Sequence, residues 1–182
     1  AVIGVDRPLG PLGPLGIRIE PYGPTSLDEA RAFFREQATA LRDGGVDLFV
    51  CETFSNVAEL EQAILAIRDV CSLPVVAQFT IGVDGRTTFG DTPRFVAQRL
   101  DRAGADVIGL NCSVGPDIML DAIEEIAAVT ARVLLPIHGG MTAPKPPAGP
   151  PAATTSRSSG DCSAGCTLLA RSRTTAPLPT FA

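Results

Sequence analysis

Two patterns of apolar residues alternate along this chain. Continuous apolar runs closed by polar or turn residues recur at Val46–Cys51, Pro74–Thr80 and Ala105–Leu110. Runs of that length read as strands buried on both faces, the habit of a parallel sheet. Between them apolar residues return every three to four positions, the period of an amphipathic helix. The first such stretch opens on Ser26-Leu27-Asp28-Glu29, a capping box, carries Leu27, Ala30, Phe33, Phe34, Ala38 and Leu41 on one face, and stops at Gly44-Gly45. The second has Asn56 as its cap with Glu59 three residues on, and Val57, Leu60, Ile64 and Ile67 inside. The third opens on Thr92-Pro93, turns Phe95, Val96 and Leu100 inward and ends at Gly104. A fourth, capped by Asp117, presents Leu120, Ile123 and Ile126. Ala1–Val5 reads as a strand, and Arg132–Ile137 as a further one that Pro136 weakens. Residues 8–16 are a tandem Pro-Leu-Gly and predict loop, which continues through Gly16–Pro24.

Strand, helix, strand at a step of roughly 30 residues is the mark of a parallel α/β fold, either a barrel or a doubly wound sheet. The two strongest strand regions match position by position, Gly45–Glu52 (GVDLFVCE) against Gly104–Asn111 (GADVIGLN), two β/α units apart. A complete (β/α)₈ barrel needs about 250 residues, or as few as about 200. The 182 residues here supply four to five units, a partial (β/α)₈ TIM barrel or a smaller open sheet. The barrel pattern extends over residues 1–138. From 139 to 182 the character changes: Met141–Ala182 holds seven of the sixteen prolines, one acidic residue (Asp161) and Lys145, the only lysine of the chain. That composition predicts a disordered tail. Its abrupt Pro, Ala, Ser, Thr and Arg bias is also what a GC-rich gene read out of frame would give.

Composition narrows the function classes. A net charge of −5 argues against nucleic acid, whose binders carry a basic face. No apolar run reaches the ~18 residues of a membrane helix, and no signal peptide is apparent. Five cysteines without a framework pattern fit a reducing cytoplasm. The glycines at 10, 13 and 16 lack the spacing of a dinucleotide or phosphate loop. The single histidine, His138, has no nucleophile motif to serve.

The candidate chemistry lies where strands end, since working residues of parallel α/β proteins gather at the carboxyl ends of strands. Ala105–Pro116 (ADVIGLNCSVGP) closes on Asn111-Cys112 and a glycine turn; Val46–Cys51 closes on Glu52-Thr53. A thiol at Cys112 can act as nucleophile, metal ligand or core filler. A carboxylate at Glu52 can bind an ammonium group, ligate a metal or act as a base, or merely accept a loop hydrogen bond. Cys51 and Cys71 read as core or helix-end thiols without a role.

Taken together, Gly13–Ala30 (GPLGIRIEPYGPTSLDEA), Asp47–Phe54 (DLFVCETF) and Gly104–Pro116 (GADVIGLNCSVGP) resemble the homocysteine S-methyltransferase family, in particular the methyltransferase half of bifunctional proteins that also carry a methylenetetrahydrofolate reductase half. The resemblance runs from residue 1 to roughly 135. It implies a (β/α)₈ barrel that methylates the thiol of homocysteine to methionine on a zinc held by three cysteines. Carried over, Cys112 is the first zinc ligand, Glu52 is the homocysteine-binding glutamate, and Asn111 with the Ser113–Gly115 turn lines the same site. It also implies a methyl donor, either a methylated folate or a sulfonium, and a reductase half C-terminal to the barrel in the intact protein. The family's remaining two ligands form an adjacent cysteine pair, and no two cysteines are adjacent here; Cys162 and Cys166 are separated by three residues. Two other readings stand beside this one: a truncated barrel without catalysis, and a different barrel transferase such as a pterin-binding enzyme.

Overall fold

The structure, a computed structural model, describes residues 8–111, 114–135 and 169–170. The expected strand Ala1–Val5, Cys112, His138 and the tail other than Leu169–Ala170 lie outside the described residues.

Four strands, β1 (Leu9–Leu12), β2 (Leu48–Phe54), β3 (Val75–Phe79) and β4 (Val107–Leu110), form one parallel sheet in the order β1-β2-β3-β4. They alternate with helices α1 (Leu27–Asp43), α2 (Val57–Val70), α3 (Pro93–Ala103) and α4 (Pro116–Ala127). Spatial order equal to chain order has a consequence. Right-handed crossovers that always step the same way leave every helix on one face of the sheet. A doubly wound sheet reverses direction at a switch point and carries helices on both faces; this sheet has no such reversal. It is therefore a sector of a (β/α)₈ barrel. The progression continues past β4, where Ile108 N–H donates to Arg132 O at 2.6 Å and Val133 bridges Ile108 in parallel. The following Leu134–Leu135 (β5) pairs antiparallel with Leu169–Ala170 (β6).

Alternation along the strands separates two layers. Phe49, Cys51, Ala77, Phe79, Ile108 and Leu110 face the helices and form the main core with Phe34, Leu60, Ile64 and Leu100. Leu48 and Val76, with Val50 and Val107 against them, form a second, much smaller cluster on the opposite face, the inner face of the barrel.

The helix boundaries follow local chemistry. Glu29 N–H donates to Ser26 Oγ at 3.2 Å and Ser26 N–H donates to Glu29 Oε2 at 2.9 Å, completing the expected capping box. Asn56 and Thr92 cap α2 and α3 through their side-chain oxygens, and Gly104 closes α3 in the left-handed conformation at φ 98°. At the amino ends of the strands Arg68 donates to Leu73 O and Gly104 O and pairs with Asp106, whose carboxylate also accepts from Val75 N–H.

Several expectations shift. Leu9–Leu12, read as loop, is the edge strand β1. An edge strand pairs on one side only and so tolerates Pro11, and the buried Leu12 anchors it. β2 does not stop before Glu52-Thr53 but runs through them to Phe54, with a register shift between Cys51 and Phe54. Phe33 is half-exposed, and so is Phe95, which holds the Arg99 guanidinium 5.7 Å over its ring. α4 begins two residues earlier than expected, with Gly115 in place of Asp117 at its cap and Pro116 at its first position. That phase buries Met119 and leaves Leu120 exposed. Glu59 does not fold back on Asn56. It is 6% exposed and accepts the Leu15 N–H at 2.8 Å, pinning the loop after β1 to the start of α2.

Burial holds the Glu59 carboxyl above its usual range, the Leu15 hydrogen bond opposing this in part. The folded chain therefore binds that proton more tightly than the unfolded one. Its contribution to stability is complete below the ordinary glutamate range near ~4.3 and is lost as pH rises through the raised value. In thermal melts at a series of pH values Glu59→Gln, which still accepts from Leu15, is expected to flatten this decline. Glu59→Ala is expected to destabilise by about 1–3 kcal/mol through the orphaned N–H.

Candidate functional site

The inner face can be read in rows, because the register is known. Val50 is level with Val76 and Val76 with Val107, an apolar row. One step toward the carboxyl ends stands Gln78, paired in register with Gly109 of β4; on β2 the same step leads to Glu52, one residue beyond the Cys51–Ala77 pair. Asn111 follows directly after β4. Side chains of a barrel sector stack in such layers, and the last polar layer is the floor of the site at the carboxyl rim.

Asn111 and Glu52, expected together, are brought to this rim by β4 and β2. Glu52 is exposed. Asn111 is 5% exposed and its amide is engaged at both ends by one residue. Thr53 N–H donates to Asn111 Oδ1 at 3.1 Å, and Asn111 Nδ2 donates to Thr53 Oγ1 at 2.9 Å. Thr53 needs such a hold. Its φ is 66°, a left-handed backbone that a β-branched residue adopts only under constraint. The strained residue sits in the irregularity of β2, directly after Glu52. Asn111 thus spans 58 residues of sequence to fix the backbone that carries Glu52.

The thiols divide clearly. Cys51 is sealed in the main core, and burial pushes its thiol up to about 12. It is a filler that neither ionises nor ligates at neutral pH. Cys71 is the C-cap of α2, at the amino ends of the strands and so at the opposite end of the sheet from the rim. Both are free thiols. Cys112, the expected first metal ligand, lies outside the described residues. Among the described residues no cluster of His, Cys, Asp or Glu could hold a metal ion. They do not fit a zinc site.

Two residues of this region escape a reading of the sequence. Gln78 was hidden in a run otherwise made of Val, Val, Ala and Phe; the signal for it is a polar side chain at an inward position of a fully buried strand. Glu59 looked like a capping residue. Nearby, a separate cleft of about 260 Å³ opens between the loop after β3 and α4, lined by Val83, Asp84, Arg86, Ile118, Asp121 and Glu125 among others. It includes neither Glu52, Gln78 nor Asn111.

A sequential parallel sheet with one helical face and a polar layer at its carboxyl rim defines the class: a (β/α)₈-type barrel fold, present here in part. Comparison with known proteins narrows it. The profile described as homocysteine S-methyltransferase matches residues 6–159, and the chain belongs to that family. It is 28% identical over 150 residues to methionine synthase of Mycobacterium tuberculosis, covering 76% of this chain and 12% of that protein. It is 34% identical over 108 residues to betaine–homocysteine S-methyltransferase 1 of Danio rerio, covering 59% of this chain and 26% of that one. The chain therefore spans between 12% and 35% of the length of curated relatives such as these. Among solved structures, the apo form of the homocysteine methyltransferase MmuM from Escherichia coli superposes with a TM-score of 0.59 at 24% identity, over 70% of this chain and 46% of that chain. The metallated form gives a TM-score of 0.54.

Removing the Asn111 amide leaves the Thr53 N–H and hydroxyl without their partner. Asn111→Ala is expected to lower unfolding free energy by about 1–3 kcal/mol in a denaturant titration. Under native alkylation followed by peptide mass spectrometry, Cys71 is expected to react well ahead of Cys51.

Proposed function

We propose that this chain is the part of a homocysteine S-methyltransferase barrel that binds homocysteine, with Glu52 taking the α-ammonium and Asn111 lining the floor of the site. The observation that carries the reading is the placement of an exposed carboxylate beside a buried amide at the carboxyl rim of a family barrel. A carboxylate opposite an ammonium forms a charge-assisted hydrogen bond, the stronger kind. The activity of the whole site is then zinc-dependent transfer of a methyl group to the homocysteine thiol, giving methionine, from a methylated folate or a sulfonium donor. Relatives bear names that point to different donors: one from Danio rerio is a betaine–homocysteine methyltransferase, and one from Rattus norvegicus uses S-methylmethionine by name. A reductase half C-terminal to the barrel belongs to the same reading, as does residence in the cytoplasm, where free thiols such as Cys51 and Cys71 persist. Among the described residues no helix is long and apolar enough to cross a membrane.

Cys112 is the residue of this chain that would contribute a thiolate to the zinc. Zinc supplies a deprotonated, activated thiol when bound. Among the described residues neither thiol can help complete the three thiolates implied by the family, since Cys51 is sealed and Cys71 lies at the far end of the sheet. No transfer step is assigned to this chain on that account. The same observation favours a second reading, a barrel sector that binds the amino acid without catalysing.

Titration calorimetry on the reduced protein tests the binding role. Wild type is expected to bind homocysteine, and Glu52→Gln to bind it tenfold or more weakly, the scale of a lost hydrogen bond to a charged group. With 4-mercaptobutanoate, which lacks the amino group, the two proteins are expected to match. Equal affinity of wild type and Glu52→Gln for homocysteine refutes the assignment.

A further inference from the structure

The inner face holds one polar side chain that the fold itself does not use. Gln78 is 9% exposed, on the central strand of the sheet, between β2 and β4. Among the described residues no hydrogen bond engages its amide. Burying an amide without a partner costs about 1–3 kcal/mol, so buried polar groups are nearly always paired. The other four residues of β3, Val75, Val76, Ala77 and Phe79, are all apolar. Yet the amide is not sealed. No side-chain nitrogen or oxygen fully closed off from solvent lacks a partner among the described residues. The Gln78 amide therefore keeps an opening to the space above the inner face.

Its surroundings say what it can meet there. On the β2 side Glu52 lies one step past the Cys51–Ala77 pair, where the register of β2 shifts, and on the β4 side Gln78 faces Gly109, which contributes no side chain. Neighbouring strands lie about 4.8 Å apart, so Glu52 and Gln78 can grip two groups carried on one carbon atom. The described inner face from Leu48 to Glu52, Val76 to Gln78 and Val107 to Asn111 carries no arginine, lysine or histidine. An anionic group entering it must be met by neutral donors. The Asn111 amide is already joined to Thr53 at both ends. That leaves Gln78.

We propose that Gln78 recognises the α-carboxylate of the amino-acid substrate, its amide N–H groups donating to the carboxylate oxygens while Glu52 on the adjacent strand holds the α-ammonium. This rests on the homocysteine reading above and adds to it the requirement for a free carboxylate. Glu52 alone would accept any aminothiol. The pair accepts only a zwitterion, because the amide that donates to the carboxylate is wasted, and remains buried without a partner, when that group is missing. A site built around a polar partner discriminates strongly for this reason.

The test compares two thiols on the reduced protein by calorimetry: homocysteine, and 3-aminopropane-1-thiol, which is homocysteine without its carboxylate. Wild type is expected to prefer homocysteine. Gln78→Leu is expected to weaken homocysteine about tenfold or more and to leave 3-aminopropane-1-thiol within twofold. Gln78→Glu, which keeps the shape and opposes the carboxylate with a second negative charge, is expected to weaken homocysteine further while tightening or sparing the aminothiol. Its effect decides the question by itself if the leucine variant does not fold, as followed by circular dichroism. Equal losses for the two thiols, or no loss for either, overturn the role of Gln78 and leave the Glu52 reading standing. Wild type that binds neither thiol overturns both.

Discussion

Every residue of β3 from Val75 to Phe79 is buried, and a strand buried on both faces must be covered on both. One cover is plain. The crossover handedness of parallel β/α units puts α1 to α4 on the same side, and their apolar stripes close over Phe49, Cys51, Ala77, Phe79, Ile108 and Leu110. The other cover is thin in the described residues: Leu48 and Val76, flanked by Val50 and Val107. In a closed barrel that face is packed by layers of side chains from all the strands. The asymmetry between a large outer core and a small inner one is thus what a barrel sector looks like, and it agrees with a chain that covers 46% of a solved family member.

The same burial shapes the site. Strands aligned in a parallel sheet bring their carboxyl ends to one side, so Glu52, Gln78 and Asn111 come to the same end of the sheet without any loop having to position them. The exception is Thr53. The irregularity in β2 places this β-branched residue at φ 66°, and the buried Asn111 holds it there from two strands away. Holding the backbone after Glu52 from the next strand but one makes the direction of the carboxylate a property of the sheet. A site on strands fixed in this way is more exact than one on loops.

Pinning extends to the rim. The Glu59 carboxylate anchors the loop after β1 through Leu15 N–H, at the electrostatic cost of burial, and the aromatic rings of Tyr22 and Phe89 stack 4.2 Å apart between the loops that follow β1 and β3. At the amino ends of the strands, Arg68 and Asp106 tie β3 and β4 to α2 and the end of α3. One end of the sheet is therefore tied to the helices by charge and hydrogen bonds, and the other carries the candidate site, the division general to this architecture.

Much of this was legible in the residues themselves. Period located all four helices, and caps fixed the starts of the first three, because Ser26, Asn56 and Thr92 satisfy their own neighbours' N–H groups and that chemistry is local. The apolar runs located β2, β3 and β4, and the paired strand ends singled out Glu52 and Asn111. What the residues could not disclose depends on partners far away in the chain. Pro-Leu-Gly repeats read as loop until β2 offers Leu9–Leu12 an edge to pair with. Glu59 reads as a cap until Leu15 arrives with an unpaired N–H. Asn111 reads as a strand-end amide with no known partner until Thr53, 58 residues earlier, is found in its grasp. Gln78 reads as one more strand residue until the register sets it opposite Gly109 on the inner face. Local free energies are written in neighbouring residues and can be read in order; the pairing of strands fixes which distant polar groups share a layer, and only the folded sheet decides that.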